Sequence, residues 1–170
     1  MSQIATPNWQ ELLKFAYEKA KLSPDPSTQN AAVLVDVTGD DYLKMAYDIN
    51  RFPRNVVMTP ERWERPLKYK YVEHAERNVI YQAARLGIAT NGLTMICPWA
   101  ACTDCARAII EAGIKRLVTH RQAHDRSPEF WKKEIEIAFQ DFKEAHVEVV
   151  MWSGKVGVDN VLHTGVLWNP

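Results

Sequence analysis

Two short motifs far apart in the chain, His74-Ala-Glu76 and Cys102-Thr-Asp-Cys105, make chemical sense only if the fold brings them to one point. One imidazole and two thiolates are three ligands for zinc, which leaves the fourth tetrahedral position open for water. Glu76 lies two residues beyond the histidine and is spare. A metal-activated water beside an unligated carboxylate is the equipment for hydrolysis. A closed structural site would need a fourth protein ligand, for which His120 or His124 is available, and would leave Glu76 unexplained.

Local patterning supports the convergence. Residues 73–86 have helical spacing and end at Gly87, so His74 and Glu76 fall at the start of a helix. Residues 103–112 form a second helix ending at Gly113, opened by Cys102 and Cys105. Cysteines three apart on a helical turn point the same way. The partial positive charge of a helix N-terminus favours thiolate over thiol.

The remaining elements read in order. Residues 8–21 form a helix capped by Asn8, with Glu11 completing a capping box and Trp9, Leu12, Leu13, Ala16, Tyr17 and Ala20 on one stripe. A Pro- and Ser-rich break at 23–27 follows. Residues 31–37 are a buried strand, 38–41 a turn and 42–49 the hairpin partner. Residues 50–71 are an irregular polar loop with Pro53, Pro60 and Pro66, and long loops in compact domains are usually functional. Strands at 93–97, 115–119 and 147–151 surround a helix at 128–145 whose Trp131, Ile135, Ala138, Phe139 and Phe142 point inward. The order predicts one α/β domain over 1–170, with a core at 8–151 and a mixed sheet covered by helices on both faces. The tail, 152–170, is expected to add an edge strand or to lie across a neighbouring subunit.

The 21 basic residues balance the 21 acidic ones, which argues against gripping a nucleic-acid backbone but not against a small phosphorylated substrate. Three cysteines, two of them at ligand spacing, suit an intracellular metal site rather than a disulfide framework. Residues 1–7 lack a basic start followed by an apolar run, and no apolar stretch reaches the roughly 20 residues of a membrane span. A cytoplasmic location is expected.

The order His-x-Glu, then Cys-x-x-Cys, is the mark of zinc deaminases acting on cytosine or adenine. The chain resembles the zinc-dependent cytidine and deoxycytidylate deaminase superfamily, and within it the deoxycytidylate (dCMP) branch. The likeness runs from about Asp25 to Val149. It is carried by Asp25-Pro-Ser-Thr28 with the apolar run at 31–35, by Asn50-Arg-Phe-Pro-Arg54, and by the segments at 68–76 and 102–114. The resemblance implies a three-layer α/β/α fold with a five-stranded mixed sheet, and a homo-oligomer, often a hexamer. It implies hydrolysis of dCMP to dUMP and ammonia by zinc-hydroxide attack on C4, with His74, Cys102 and Cys105 as zinc ligands and Glu76 as proton shuttle. It also implies that Asn50 contacts the sugar hydroxyl and that the backbone around Ala75, Ala100 and Ala101 touches the base.

The chain departs from the family pattern in two loops. Pro98 stands four residues before Cys102 rather than directly before it. Residues 48–53 lack the glycines of a loop that, in regulated members, helps form an effector site, which counts against control by dCTP and dTTP. Arg51 occupies one of those glycine positions.

Residues 51–77 hold seven basic residues against four acidic ones. A phosphomonoester wants arginine or a nearby ammonium, and Arg54, Arg65 and Lys68 are the candidate contacts; the same residues also suit a solvated loop paired with Glu61 and Glu64. Cys97 reads as a core thiol. Trp63 and Trp99 flank the predicted site, and Trp99 is the candidate wall. Asn30 suits a substrate contact or a satisfied strand end. His120 and His124 suit an accessory zinc site, and His146 and His163 read as structural or exposed. Deaminases of CMP, a modified dCMP, cytosine, guanine or tRNA adenine share this chemistry. A catalytically silent zinc scaffold is the reading from a different class.

Overall fold

The computed structural model describes residues 7–38 and 41–170. Positions 39 and 40, in the expected turn, and 1–6, in the N-terminal stretch, lie outside them.

Helix α1 (Trp9–Ala20) starts where Asn8 accepts the Glu11 N–H. The capping box is only half formed, because the Glu11 carboxylate accepts the Tyr42 hydroxyl instead. Leu12, Leu13, Ala16, Tyr17 and Ala20 are fully buried. Strands β1 (Ala31–Thr38) and β2 (Asp41–Ile49) pair antiparallel. The loop after β2 contains a 3-10 turn at Pro60–Trp63 and a short helix α2 (Lys68–Tyr71), neither expected from the sequence. Helix α3 (Ala75–Leu86), strand β3 (Thr94–Ile96), helix α4 (Thr103–Glu111) and strand β4 (Arg116–His120) follow, then a short unexpected helix α5 (Arg121–Asp125), helix α6 (Glu129–Glu144) and strand β5 (Glu148–Trp152).

The five strands form one sheet in the order β2-β1-β3-β4-β5. The first pairings are antiparallel and those among β3, β4 and β5 parallel, so the sheet is mixed, as expected. Strand β1 is buried on both faces, which is why it reads as a continuous apolar run rather than an alternation. Its Ala32 and Leu34 pack under α3, α4 and α6 with Val79, Ile109 and Phe142. Its Val33 and Val35 meet α1 with Ile96 and Val118. The result is helices on both faces of the sheet.

The tail departs from expectation. It forms its own hairpin, β6 (Val161–His163) with β7 (Val166–Trp168), rather than an edge strand of the main sheet. Thr164 and Gly165 turn it with φ of 49° and 80°, both in the left-handed region that a two-residue hairpin turn of this hand requires. Val156, Val158 and Val161 complete the core on the α1 side.

Gly113 ends α4 with φ of 69°, and a Cβ there would lie 2.5 Å from Asn91 Oδ1 and 3.2 Å from the Asn91 Cα. Left-handed backbone alone costs an L-residue about 1–2 kcal/mol. Gly113→Ala is therefore expected to destabilise the fold by at least about 2 kcal/mol, read as a lowered urea midpoint with unchanged slope.

Candidate active site

His74 and Cys102 occupy the N-cap positions of α3 and α4, and neither side chain caps its own helix. Both are free to turn toward a shared point. His74 Nδ1 lies 3.6 Å from Cys102 Sγ and 3.5 Å from Cys105 Sγ, and the three donor atoms all lie within 4.8 Å of one another. With Zn–N of about 2.0–2.1 Å and Zn–S of about 2.3 Å, a tetrahedral ion separates such N and S atoms by about 3.6 Å. The residues present fit that ion.

The electrostatics suit the task. The hydrogen bond with Cys105, and then that with His74, hold the Cys102 thiol down at about 3, while the same bond, with burial, pushes the Cys105 thiol up, so the two sulfurs share one proton that a bound metal would displace. Arg77 Nη1 donates to Cys105 Sγ at 3.4 Å and is itself held by Glu73, whose carboxylate accepts the His74 N–H at 3.1 Å. Glu76, in the first turn of α3, is 2% exposed, and its Oε2 has no partner among the described residues. Burial raises its pKa, so its carboxyl is poised to hold a proton.

These groups open on a cavity of about 270 Å³. Ala75, Glu76, His74, Trp99, Ala100 and Cys102 line one part of it, and Asp25, Thr28, Asn30, Asn50, Arg65 and Lys68 another. Asp25 is the centre of the second group. Its Oδ1 accepts Lys68 Nζ at 2.7 Å and the Ser27 and Thr28 N–H groups at 2.8 and 3.1 Å, and its Oδ2 accepts Asn50 Nδ2 at 3.0 Å. Asn50 gives its other amide hydrogen to Thr28 O at 2.7 Å and takes the Asn30 N–H on Oδ1 at 2.8 Å. What it retains for a ligand is the second lone pair of Oδ1.

Several expected positions are corrected. Arg54 is outside the cavity, with its guanidinium on Asp48 and Gln82. Ala101 is packed in the core rather than on the cavity wall. Trp63 stacks on Phe52 at 4.2 Å and stands beside Lys68 without lining the cavity itself. His120 bonds Tyr17 and the Gly154 carbonyl, so it is no metal ligand, and among the described residues His74, Cys102 and Cys105 are the one metal-binding group. Arg51 has no positive φ and bridges Glu73. Asn30 donates to Cys97 Sγ at 3.3 Å while facing the cavity. The sequence reading missed Asp25 as a hub, the α6 residues Phe130, Trp131 and Ile135, and the tail residues His163 and Thr164, all of which line the cavity. Asp25 carried a signal as part of the opening motif; the tail residues carried none.

Comparison with known proteins agrees with this geometry. The family model for the cytidine and deoxycytidylate deaminase zinc-binding region matches residues 7–121, more than half of the chain. The chain belongs to this deaminase family. It is 32% identical over 127 residues to an uncharacterized deaminase of Aliivibrio fischeri, covering 75% of this chain and 81% of that protein. It is 32% identical over 117 residues to the deoxycytidylate deaminase of Mus musculus, covering 65% of this chain and 63% of that one, so it spans less than two-thirds of the mouse enzyme. The fold matches the dCMP deaminase of cyanophage S-TIM5, solved in complex with dCMP and dUMP, with a TM-score of 0.63 at 19% identity over 84% of this chain and 95% of that one. Like its family, the protein is a zinc-binding hydrolase that deaminates. No helix among the described residues is long and apolar enough to cross a membrane.

Two outcomes check this construction. His74→Ala is expected to lower bound zinc from about one per chain to near zero, measured by elemental analysis of the purified protein. Lys68→Met would leave the Asp25 charge buried and uncompensated, and is expected to cost about 3–5 kcal/mol in urea unfolding.

Proposed function

We propose that the protein hydrolyses deoxycytidylate to deoxyuridylate and ammonia. The observation that carries this reading is the buried Glu76 carboxylate, its Oε2 unpartnered among the described residues, beside the His74, Cys102 and Cys105 donors and lining the same cavity as Lys68 and Arg65. We assign the zinc ligands to those three residues. Zinc, when bound, lowers the pKa of a coordinated water toward 7. Glu76 takes one proton of the attacking water on its free oxygen and delivers it to the ring nitrogen next to the amine-bearing carbon; it then takes the remaining proton of the added hydroxyl and gives it to the amine, which leaves as ammonia as the C–N bond breaks and the carbonyl forms. Burial raises the Glu76 pKa, which makes its carboxylate the stronger base for the proton of the attacking water.

The rest of the cavity binds and orients. Trp99, Trp131 and the backbone at Ala75 and Ala100 enclose the base and exclude water. Asn50, with one acceptor site left, takes the hydrogen of a sugar hydroxyl. Arg65 and Lys68 face the phosphate, while Arg54, on Asp48 and Gln82, drops out of that role. A cavity of about 270 Å³ is near the lower bound of roughly 300 Å³ for drug-sized ligands, which favours a mononucleotide over a polymer. The whole chain acts as one cytoplasmic deaminase domain within a homo-oligomer no larger than a hexamer.

Ammonia release from dCMP, CMP, dCTP, deoxycytidine and guanine is the direct test. Turnover of dCMP well above the others is expected; no turnover of dCMP by zinc-loaded protein would move the assignment to another base. Glu76→Gln is expected to keep its zinc and lose about 10²–10⁴-fold in kcat. A variant as active as the parent would remove Glu76 from the chemistry.

A further inference from the structure

Two residues of the C-terminal hairpin, His163 and Thr164, line the cavity and have no place in the chemistry described so far. It is pinned to the opening loop at several points. Gln29 N donates to Leu162 O at 2.8 Å and Leu162 N to Gln29 Oε1 at 3.1 Å; Thr164 N donates to Thr28 Oγ1 at 3.1 Å and Gly165 N to Ser27 O at 2.8 Å. Ser27 Oγ in turn accepts Arg65 Nη2 at 3.1 Å. The hairpin tip and Arg65 therefore share Ser27 as a neighbour, beside the residues assigned above to the phosphate.

His163 is the residue this arrangement presents. Its ring stacks on Trp99 with centroids 3.6 Å apart and planes 18° from parallel. The residue is 6% exposed, lines the cavity, and makes no side-chain hydrogen bond among the described residues. Its ring nitrogens are not spent on the protein among the described residues and reach the space of the cavity, so they are available to a ligand.

We propose that His163 is a substrate-binding residue, donating a hydrogen bond to the phosphate end of the nucleotide, and that the hairpin is the element that positions it there. This rests on the mononucleotide reading above. Burial and then the Arg126 guanidinium hold the His163 pKa down to about 4, so at neutral pH the ring is uncharged and offers one N–H and one acceptor nitrogen. Stacking on Trp99 fixes the plane in which that N–H points.

The test compares the parent with His163→Phe, which keeps a flat ring for Trp99 and removes both nitrogens. For dCMP, KM is expected to rise about tenfold or more with kcat within about threefold, while KM for deoxycytidine stays within about threefold. Imidazole ¹⁵N spectra of the parent protein, which need no folded variant, are expected to show His163 shifting on addition of dUMP but not of deoxyuridine. Normal dCMP turnover with an unchanged KM in His163→Phe and an unmoved ¹⁵N signal would overturn the His163 role and leave the deaminase reading standing. An equal loss for deoxycytidine would overturn the phosphate assignment. No turnover or binding of dCMP by the parent would sink both proposals together.

Discussion

Asp25 holds a buried negative charge among segments that are distant in sequence. Lys68, the Ser27 and Thr28 amides and the Asn50 side chain all converge on its two oxygens. A carboxylate taken this far from water costs several kcal/mol unless it is paired and fully hydrogen-bonded. Meeting that requirement forces the loop after α1, the end of β2 and the short helix α2 into one place. These same segments form the cavity wall that does not carry the metal donors. The wall is therefore a consequence of satisfying one charge, and its shape is as rigid as those hydrogen bonds.

The metal half of the site depends on different physics. Helices α3 and α4 bring their N-termini together, and in a parallel arrangement the strand ends and helix starts are where ligands collect. His74 and Cys102 sit at N-caps with extended backbone, ψ of 153° and 172°. Residues favoured at N-caps usually spend their side chains on the helix's own N–H groups. Here they do not, so an imidazole and a thiolate are available to a metal while the helix starts contribute positive potential.

Which features could be read from sequence follows from how local their causes are. The helices and strands of the core announced themselves by apolar period, and the ligand set by residue type and spacing, because each is decided within a few neighbours. Helix α3 starts two residues later than its apolar pattern suggests, since His74 takes the cap. The charged loop was harder. Arg54, Arg65 and Lys68 are alike in composition, and only the fold reveals that Arg54 is captured by Asp48 and Gln82 while the other two face the cavity. Ala101 differs from Ala100 in nothing a sequence displays, yet one packs inward and the other lines the cavity. The tail was the least legible. Its partners are Ser27, Thr28 and Gln29, more than a hundred residues away, and no short-range pattern encodes such a contact.

On the mononucleotide reading, the charge arrangement assigns unequal roles to the two cations. The Lys68 ammonium sits 2.7 Å from Asp25 Oδ1, both side chains nearly inaccessible, so as a pair they present almost no net charge to a ligand. Arg65 is bonded to the neutral Ser27 hydroxyl and has no acidic side chain paired with it among the described residues. Attraction for a phosphate then comes from Arg65, and Lys68 contributes a directed N–H donor rather than a field. Neutral donors such as the His163 ring add direction without adding charge. A cavity built this way distinguishes a phosphorylated substrate from its nucleoside by geometry as much as by Coulomb attraction. Because substrate and product carry the same phosphate, any binding strength gained there holds both equally. On the same reading, one cation without an acidic partner among the described residues, with neutral donors beside it, would select the nucleotide while still letting the deaminated product leave.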